Sequence, residues 1–284
     1  MIVFYTTSTK HFAECIKARA GACTIKQFSD GEVYVRVDED VRDKEVWVLS
    51  ATNPPAEHAF ELFFLLDALQ RSGARINLFI TYFGYARQVI AQPGEALSAH
   101  VISSCIQQFS ARKIYIMHPH STLLHNFLSF TAVYKADLFC KFAALYDAVA
   151  APDTGVADFA REIAKACNKD LIILTKTRPA HEEVVIEAVD GDAHDKKILL
   201  IDDIISTGRT IVHAASILKQ RGAKHVAAAA IHGVFAPGAR DYLQVSPLDS
   251  IFVTNTIGQQ SGGKITVIDI STMIEEIMEE ARIS

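Results

Sequence analysis

ILLIDDIISTGRT, residues Ile198 to Thr210, is the stretch on which the fold turns. Four apolar residues run into two adjacent carboxylates, Asp202 and Asp203. Ser206, Thr207, Gly208, Arg209 and Thr210 follow, and then a helical pattern begins. A continuous apolar run suits a strand buried on both faces, which means a parallel sheet covered by helices. Ligands of such open sheets gather at the carboxyl ends of the strands. A tight loop entering a helix aims backbone N–H groups at one point, and the helix N-terminus adds positive potential. The hydroxyls add donors, and glycine allows close approach. This is the chemistry of a phosphate cradle. The carboxylates repel phosphate and suit sugar hydroxyls or a divalent cation. Phosphate beside polyol describes a sugar phosphate. The loop is not a Walker A loop, because the GxxxxGK[ST] order is missing. The plain alternative is a strand end with solvated aspartates and an ordinary Ser/Thr cap.

The rest of the chain repeats the strand-then-helix pattern. Further short strands are expected at Ile2–Tyr5, Val46–Leu49, Ile76–Ile80, Ile114–Met117, Leu171–Leu174, Val226–Ile231, Ile251–Val253 and Ile265–Ile268. Leu62, Leu65, Leu66 and Leu69 mark one buried helical stripe, and Ile211, Ala214, Ala215 and Leu218 mark another. A last helix is expected to open on a capping box of Thr272 and Glu275 and to bury Ile274, Ile277, Met278 and Ala281. The alternation predicts an α/β chain with mostly parallel sheets flanked by helices. Its 284 residues suit two domains, divided as 1–146 and 147–284.

Composition narrows the function classes. A net charge of −5 argues against nucleic-acid binding driven by bulk charge. No apolar run approaches the roughly 20 residues of a membrane span. The start, MIVFYTTSTK, lacks the pattern of a secretory signal. Five scattered cysteines with no CxxC pair read as reduced thiols, and the chain reads as cytoplasmic.

Several segments, in order, carry a resemblance. FSDGE (Phe28–Glu32), YFGYARQ (Tyr82–Gln88), APDTG (Ala151–Gly155), KTR (Lys176–Arg178), HGVFAPGA (His232–Ala239) and TNTI (Thr254–Ile257) stand around the Ile198–Thr210 loop. Each is modest alone. Together, across almost the whole chain, they resemble the ribose-phosphate diphosphokinases, which make phosphoribosyl diphosphate and AMP from ribose 5-phosphate and ATP. The loop by itself also resembles that of type I phosphoribosyltransferases. The resemblance implies two type I phosphoribosyltransferase-like domains, the first for nucleotide and subunit contacts and the second for ribose 5-phosphate. It implies ATP binding by Asp30, Glu32, Arg87, Gln88 and His120. It implies ribose 5-phosphate binding by Asp202, Asp203, Ser206, Thr207, Gly208, Arg209 and Thr210. Lys176 and Arg178 would be catalytic, on a polar excursion that runs to Lys197. Mg²⁺ would be the cofactor, placed with ATP by His120, while Asp153 would help bind a second metal or the ribose. The DGE turn would serve a neighbouring subunit, implying a homodimer or higher homo-oligomer with shared sites, and neither nucleic acid nor a membrane would be a partner.

Three positions depart from the family pattern. His118 stands where the family has an acidic residue, Val89–Ala91 replace polar and basic residues, and Arg209 follows the loop glycine where many members have a second glycine. Two other readings share part of the pattern. One is a phosphoribosyltransferase that consumes phosphoribosyl diphosphate, which leaves FSDGE and GYARQ unexplained. The other is a catalytically weak regulatory paralogue.

Overall fold

A computed structural model describes residues 1–177 and 185–283. The chain forms two compact units. The first is Met1–Tyr134 with Thr256–Gly258 and Asp269–Ser284, and the second is Lys135–Asn255 with Gln259–Ile268. Relative to a division at 146/147, residues 135–146 join the second unit and the last helix joins the first.

In the first unit, β1 (Ile2–Tyr5), β2 (Arg19–Ala20), β5 (Glu45–Ala51), β6 (Arg75–Tyr82), β7 (Lys113–Met117) and β8 (Thr131–Val133) form one sheet in the order β2-β1-β5-β6-β7-β8. Every pairing in it is parallel. A separate hairpin joins β3 (Cys23–Gln27) to β4 (Val33–Val37). Helices α1 (Glu57–Arg71) and α2 (Ser98–Gln107) belong to this unit. Leu62, Leu65, Leu66 and Leu69 of α1 are all fully buried against Val46, Val48, Leu78 and Ile80, as their spacing requires.

In the second unit, β9 (Ala148–Ala151), β10 (Asp170–Thr177), β11 (Val185–Asp190), β12 (Lys197–Ile205), β13 (His225–Gly233), β14 (Ser250–Thr254) and β15 (Ile265–Ile268) form a sheet in the order β11-β10-β9-β12-β13-β14-β15. Only β10 with β11 is antiparallel. The helices here are α3 (Cys140–Ala143), α4 (Ala157–Ala166), α5 (Arg209–Gln220) and α6 (Ala239–Gln244). The last helix, α7 (Ser271–Ile283), packs with the first unit.

Four features correct the sequence expectations. β9 was not expected: its four residues, mostly alanine, have little intrinsic strand preference, yet all are buried between β10 and β12. β12 runs four residues past its apolar stretch, because Ile204 and Ile205 still pair with His232 and Gly233 of β13. Helix α7 starts one residue before the expected capping box, at Ser271, whose N–H and hydroxyl both donate to Asp269. Finally, Cys140 and Cys167 are joined by a disulfide, while Cys15, Cys23 and Cys105 are free. Their 27-residue separation carries no local signature; the ends of α3 and α4 bring them together. Among the described residues no helix is long and apolar enough to cross a membrane.

Candidate active site

The strand order of the second unit by itself locates a site. The chain leaves β9 toward β10 on one side and later returns to place β12 on the other. The crevice at the carboxyl ends of β9 and β12 is therefore a topological switch point, where open α/β sheets bind ligands. Asp153 follows β9, and Asp202 to Thr210 end β12 and open α5.

Asp202 and Asp203 are held within β12 near its end. Asp203 is 7% exposed, and its N–H donates to Asp202 Oδ1 at 2.9 Å. Burial, then the charge of Asp203 and its hydrogen bond, and then the charge of Asp153 push the Asp202 carboxyl well above the usual carboxylate range. Ionisation of Asp202 is thus disfavoured beside Asp203. Sugar hydroxyls or a cation would relieve this crowding. Asp153 caps the short turn Thr154–Val156, its carboxylate accepting from the Gly155 N–H at 3.0 Å.

The loop after Asp203 is fastened from below. The Ile205 carbonyl accepts from Val234 and Phe235 at 2.9 and 3.1 Å, and the Ser206 carbonyl accepts from Ala236 at 3.1 Å. The HGVFAPGA segment thus supports the cradle. Gly208 has φ 78, and a β-carbon there would meet Leu243 Cδ2 at 2.8 Å. The glycine answers to backbone conformation and packing on α6 as well as to ligand approach. Helix α5 opens on Gly208 with no side-chain cap, and the Arg209 N–H donates to the Thr207 hydroxyl at 3.4 Å; a helix start of this kind suits an outside acceptor. Thr207, Arg209 and Thr210 are exposed there, and Ser206 is half-buried.

The matching crevice of the first unit, between β1 and β5, is filled from within. The Glu61 carboxylate, 6% exposed, accepts from the Thr7 N–H at 2.9 Å and from its hydroxyl at 2.7 Å. Thr6 donates to Ser50 at 3.0 Å, Thr9 donates to the Leu49 carbonyl at 2.6 Å, and the Ala51 N–H donates to Ser8 at 3.0 Å. These donors are spent on acceptors of the same unit. This contrast was invisible in the sequence, since the Thr7–Glu61 contact spans 54 positions.

The expected nucleotide residues occupy other loops of the first unit. Arg87 and Gln88 are exposed after β6. Their loop is anchored at Gly84, whose N–H donates to the Thr52 hydroxyl at 2.8 Å and where a β-carbon would collide with the Thr52 carbonyl oxygen. Val89 packs against the core, while Ile90 is 70% exposed. His120 is exposed after β7. His118 is buried, its N–H donates to the Val133 carbonyl at 3.0 Å, and its ring stands edge-on to Tyr134. His118 therefore serves packing where the family pattern has an acid. Asp30 and Glu32 are exposed in the β3–β4 turn, which the Phe28 N–H closes on the Glu32 carbonyl at 2.8 Å. Beside that turn Phe28 is 48% exposed, and Lys26 lies over both Phe28 and Tyr34.

The backbone of Lys176 lies in β10 and pairs with Ile186 next to a register shift. Arg178 lies outside the described residues. The excursion after β10 does contain a hairpin strand, β11. Among the described residues no group of three or more His, Cys, Asp or Glu side chains is placed to hold a metal. A complete protein cage for Mg²⁺ is therefore not built there. Asp153 and the β12 carboxylates fit the usual alternative, in which one or two carboxylates finish the shell of an ion carried by substrate phosphates.

Comparison with known proteins gives concordant matches. Residues 1–109 match the N-terminal domain of ribose phosphate pyrophosphokinase, and residues 160–283 match the phosphoribosyl synthetase-associated domain. The ribose-phosphate pyrophosphokinase of Helicobacter hepaticus is 33% identical, over 96% of this chain and 92% of that protein. That of Thermotoga maritima is 30% identical, over 99% of this chain and 95% of that protein. The crystal structure of phosphoribosylpyrophosphate synthetase from Mycobacterium smegmatis is similar with a TM-score of 0.88 and 27% identity, covering 99% of this chain and 98% of that one.

Proposed function

This chain belongs to the ribose-phosphate pyrophosphokinase family, and from that premise we propose how its residues divide the work. The enzyme transfers the diphosphoryl group of ATP to O1 of ribose 5-phosphate, giving phosphoribosyl diphosphate and AMP. A bond forms between O1 of the sugar and the β-phosphorus. The bond from that phosphorus to the oxygen that bridges it to the α-phosphorus breaks, that oxygen leaves with AMP, and the O1 proton is released to solvent.

Ribose 5-phosphate sits in the second unit. Its phosphate takes the N–H groups and hydroxyls of Ser206–Thr210, with Arg209 as an added cation. Its ring hydroxyls donate to Asp202 and Asp203. The observation that carries this reading is the second unit's switch point, where Asp153 and the whole Asp202–Thr210 segment converge. The filled crevice of the first unit supports it. ATP is held by Arg87, Gln88 and His120, and by Asp30 and Glu32 of a neighbouring copy, so the working enzyme is a homo-oligomer. The exposure of these residues is consistent with that role. In the first unit His120 would help place Mg²⁺ with ATP, and in the second unit Asp153 would help bind a second metal or the ribose; the metal would neutralise phosphate oxygens. Lys176 and Arg178 meet charge that develops on the transferring diphosphoryl group, where positioned donors contribute most to rate. The enzyme works in the cytoplasm.

The test is AMP formation from ATP, ribose 5-phosphate and Mg²⁺. Equal amounts of AMP and phosphoribosyl diphosphate are expected. Turnover only with a nucleobase and phosphoribosyl diphosphate would mean a phosphoribosyltransferase. No turnover together with a stable complex on an active relative would mean a regulatory paralogue.

A further inference from the structure

We infer that Cys140 and Cys167 form a reversible thiol–disulfide site that grips the turn carrying Asp153. Cys140 begins α3 and Cys167 caps the C-terminus of α4, with Cα atoms 5.5 Å apart, inside the usual range for a bridge. The loop they close spans 27 positions and encloses β9, the Asp153 turn and all of α4. The bridge thus rings the one strand, turn and helix that bring Asp153 beside the β12 carboxylates. Strand β9 is fully buried between β10 and β12, so the ring is anchored in the interior of its sheet.

Both half-cystines are partly exposed, so small thiols and disulfides can reach them. Accessible bridges are the exchangeable ones. Cys23 is a weak competitor, since burial and then the charges of Asp38 and Glu39 push its thiol up to about 11. The co-reactant is a low-molecular-weight disulfide. One cysteine thiolate attacks it, forming a mixed disulfide and releasing one small thiol. The second cysteine displaces the other small thiol and closes the bridge. Two protein thiols are oxidised, the small disulfide is reduced to two thiols, and both protons leave on those thiols. Excess dithiol reverses the sequence.

Closing the ring restricts how far the end of α4 can part from α3, so the Asp153 turn opens less often in the bridged form. Its bearing on catalysis rests on the role proposed for Asp153. The test avoids that role. Wild-type protein is equilibrated across a series of reduced-to-oxidised glutathione ratios. Thiol trapping with peptide mass spectrometry and amide hydrogen exchange are then read on the same samples. The 140–167 cross-linked peptide should convert to the dithiol as one two-electron transition. Exchange across residues 148–166 should be about tenfold slower in the bridged form. Cys167→Ser should hold one exchange rate at every ratio. A pair that stays dithiol in the folded protein under oxidised glutathione overturns the inference, and so does equal exchange in both forms. Neither readout involves turnover, so a failed assignment of Asp153 would leave this result standing.

Discussion

Replacing Asp202 by asparagine should make the protein more stable and a poorer enzyme. Burial, then the charges of Asp203 and Asp153, raise the folded value of the Asp202 carboxyl well above the usual carboxylate range. In the unfolded chain it ionises near the ordinary value of about 3.9. A carboxyl whose folded value is raised contributes stability that is fully present below the unfolded value and is lost as pH rises through the folded one. Within that window, unfolding releases a proton and stability falls by about 1.4 kcal/mol per pH unit. Asp202→Asn removes the titration and keeps the local bonds, because its amide oxygen can still accept from the Asp203 N–H and its amide nitrogen can donate to the Asp203 carboxylate. The advantage of the variant should therefore grow with pH, starting near pH 4, by up to about 1.4 kcal/mol per unit until the folded value is passed. Urea midpoints by circular dichroism at half-unit steps from pH 4 to pH 8 would measure it. Equal pH dependence in both proteins, or a less stable variant at pH 7, would refute the reasoning. Calorimetry on the same variant should show weakened ribose 5-phosphate binding, since a neutral amide is a poorer acceptor for sugar hydroxyls.

Lys176→Ala should lower turnover by about 100- to 1000-fold while ribose 5-phosphate affinity stays within a few fold, read by steady-state kinetics beside calorimetry. Gly84→Ala should force the Arg87–Gln88 loop away from Thr52, raising KM for ATP and costing about 1–3 kcal/mol in urea unfolding. An Asp30→Ala/Glu32→Ala double variant mixed with a Lys176→Ala variant should regain activity under conditions of subunit exchange. Failure to complement would argue against shared sites. Glu61→Ala should free the Thr7 N–H and loosen the β1 loop, costing about 1–3 kcal/mol and leaving ribose 5-phosphate affinity unchanged.

The sheets and the β12 loop were legible because their signals are local. Periodicity marked α1 and α5, and an apolar run meeting hydroxyls and a glycine marked the cradle. What escaped depends on pairing at a distance. The largely alanine stretch 148–151 forms the interior strand β9 only because two neighbours bury it. Strand order made the β9–β12 crevice a switch point, and no stretch of sequence encodes that order locally. The closure of the first unit's crevice rests on Glu61, which in sequence is one more polar residue on an amphipathic helix. His118 was legible as a departure, but its role as a packed ring on Tyr134 needed the fold.

The most direct test of the central claim is a crystal structure of the protein with ribose 5-phosphate. The sugar phosphate should lie at the carboxyl ends of β9 and β12. Its phosphate should be within hydrogen-bonding distance of backbone N–H groups of Ser206–Thr210, and its ring hydroxyls on Asp202 and Asp203. A ligand bound instead between β1 and β5 of the first unit, or one that leaves Ser206–Thr210 untouched, would contradict the account.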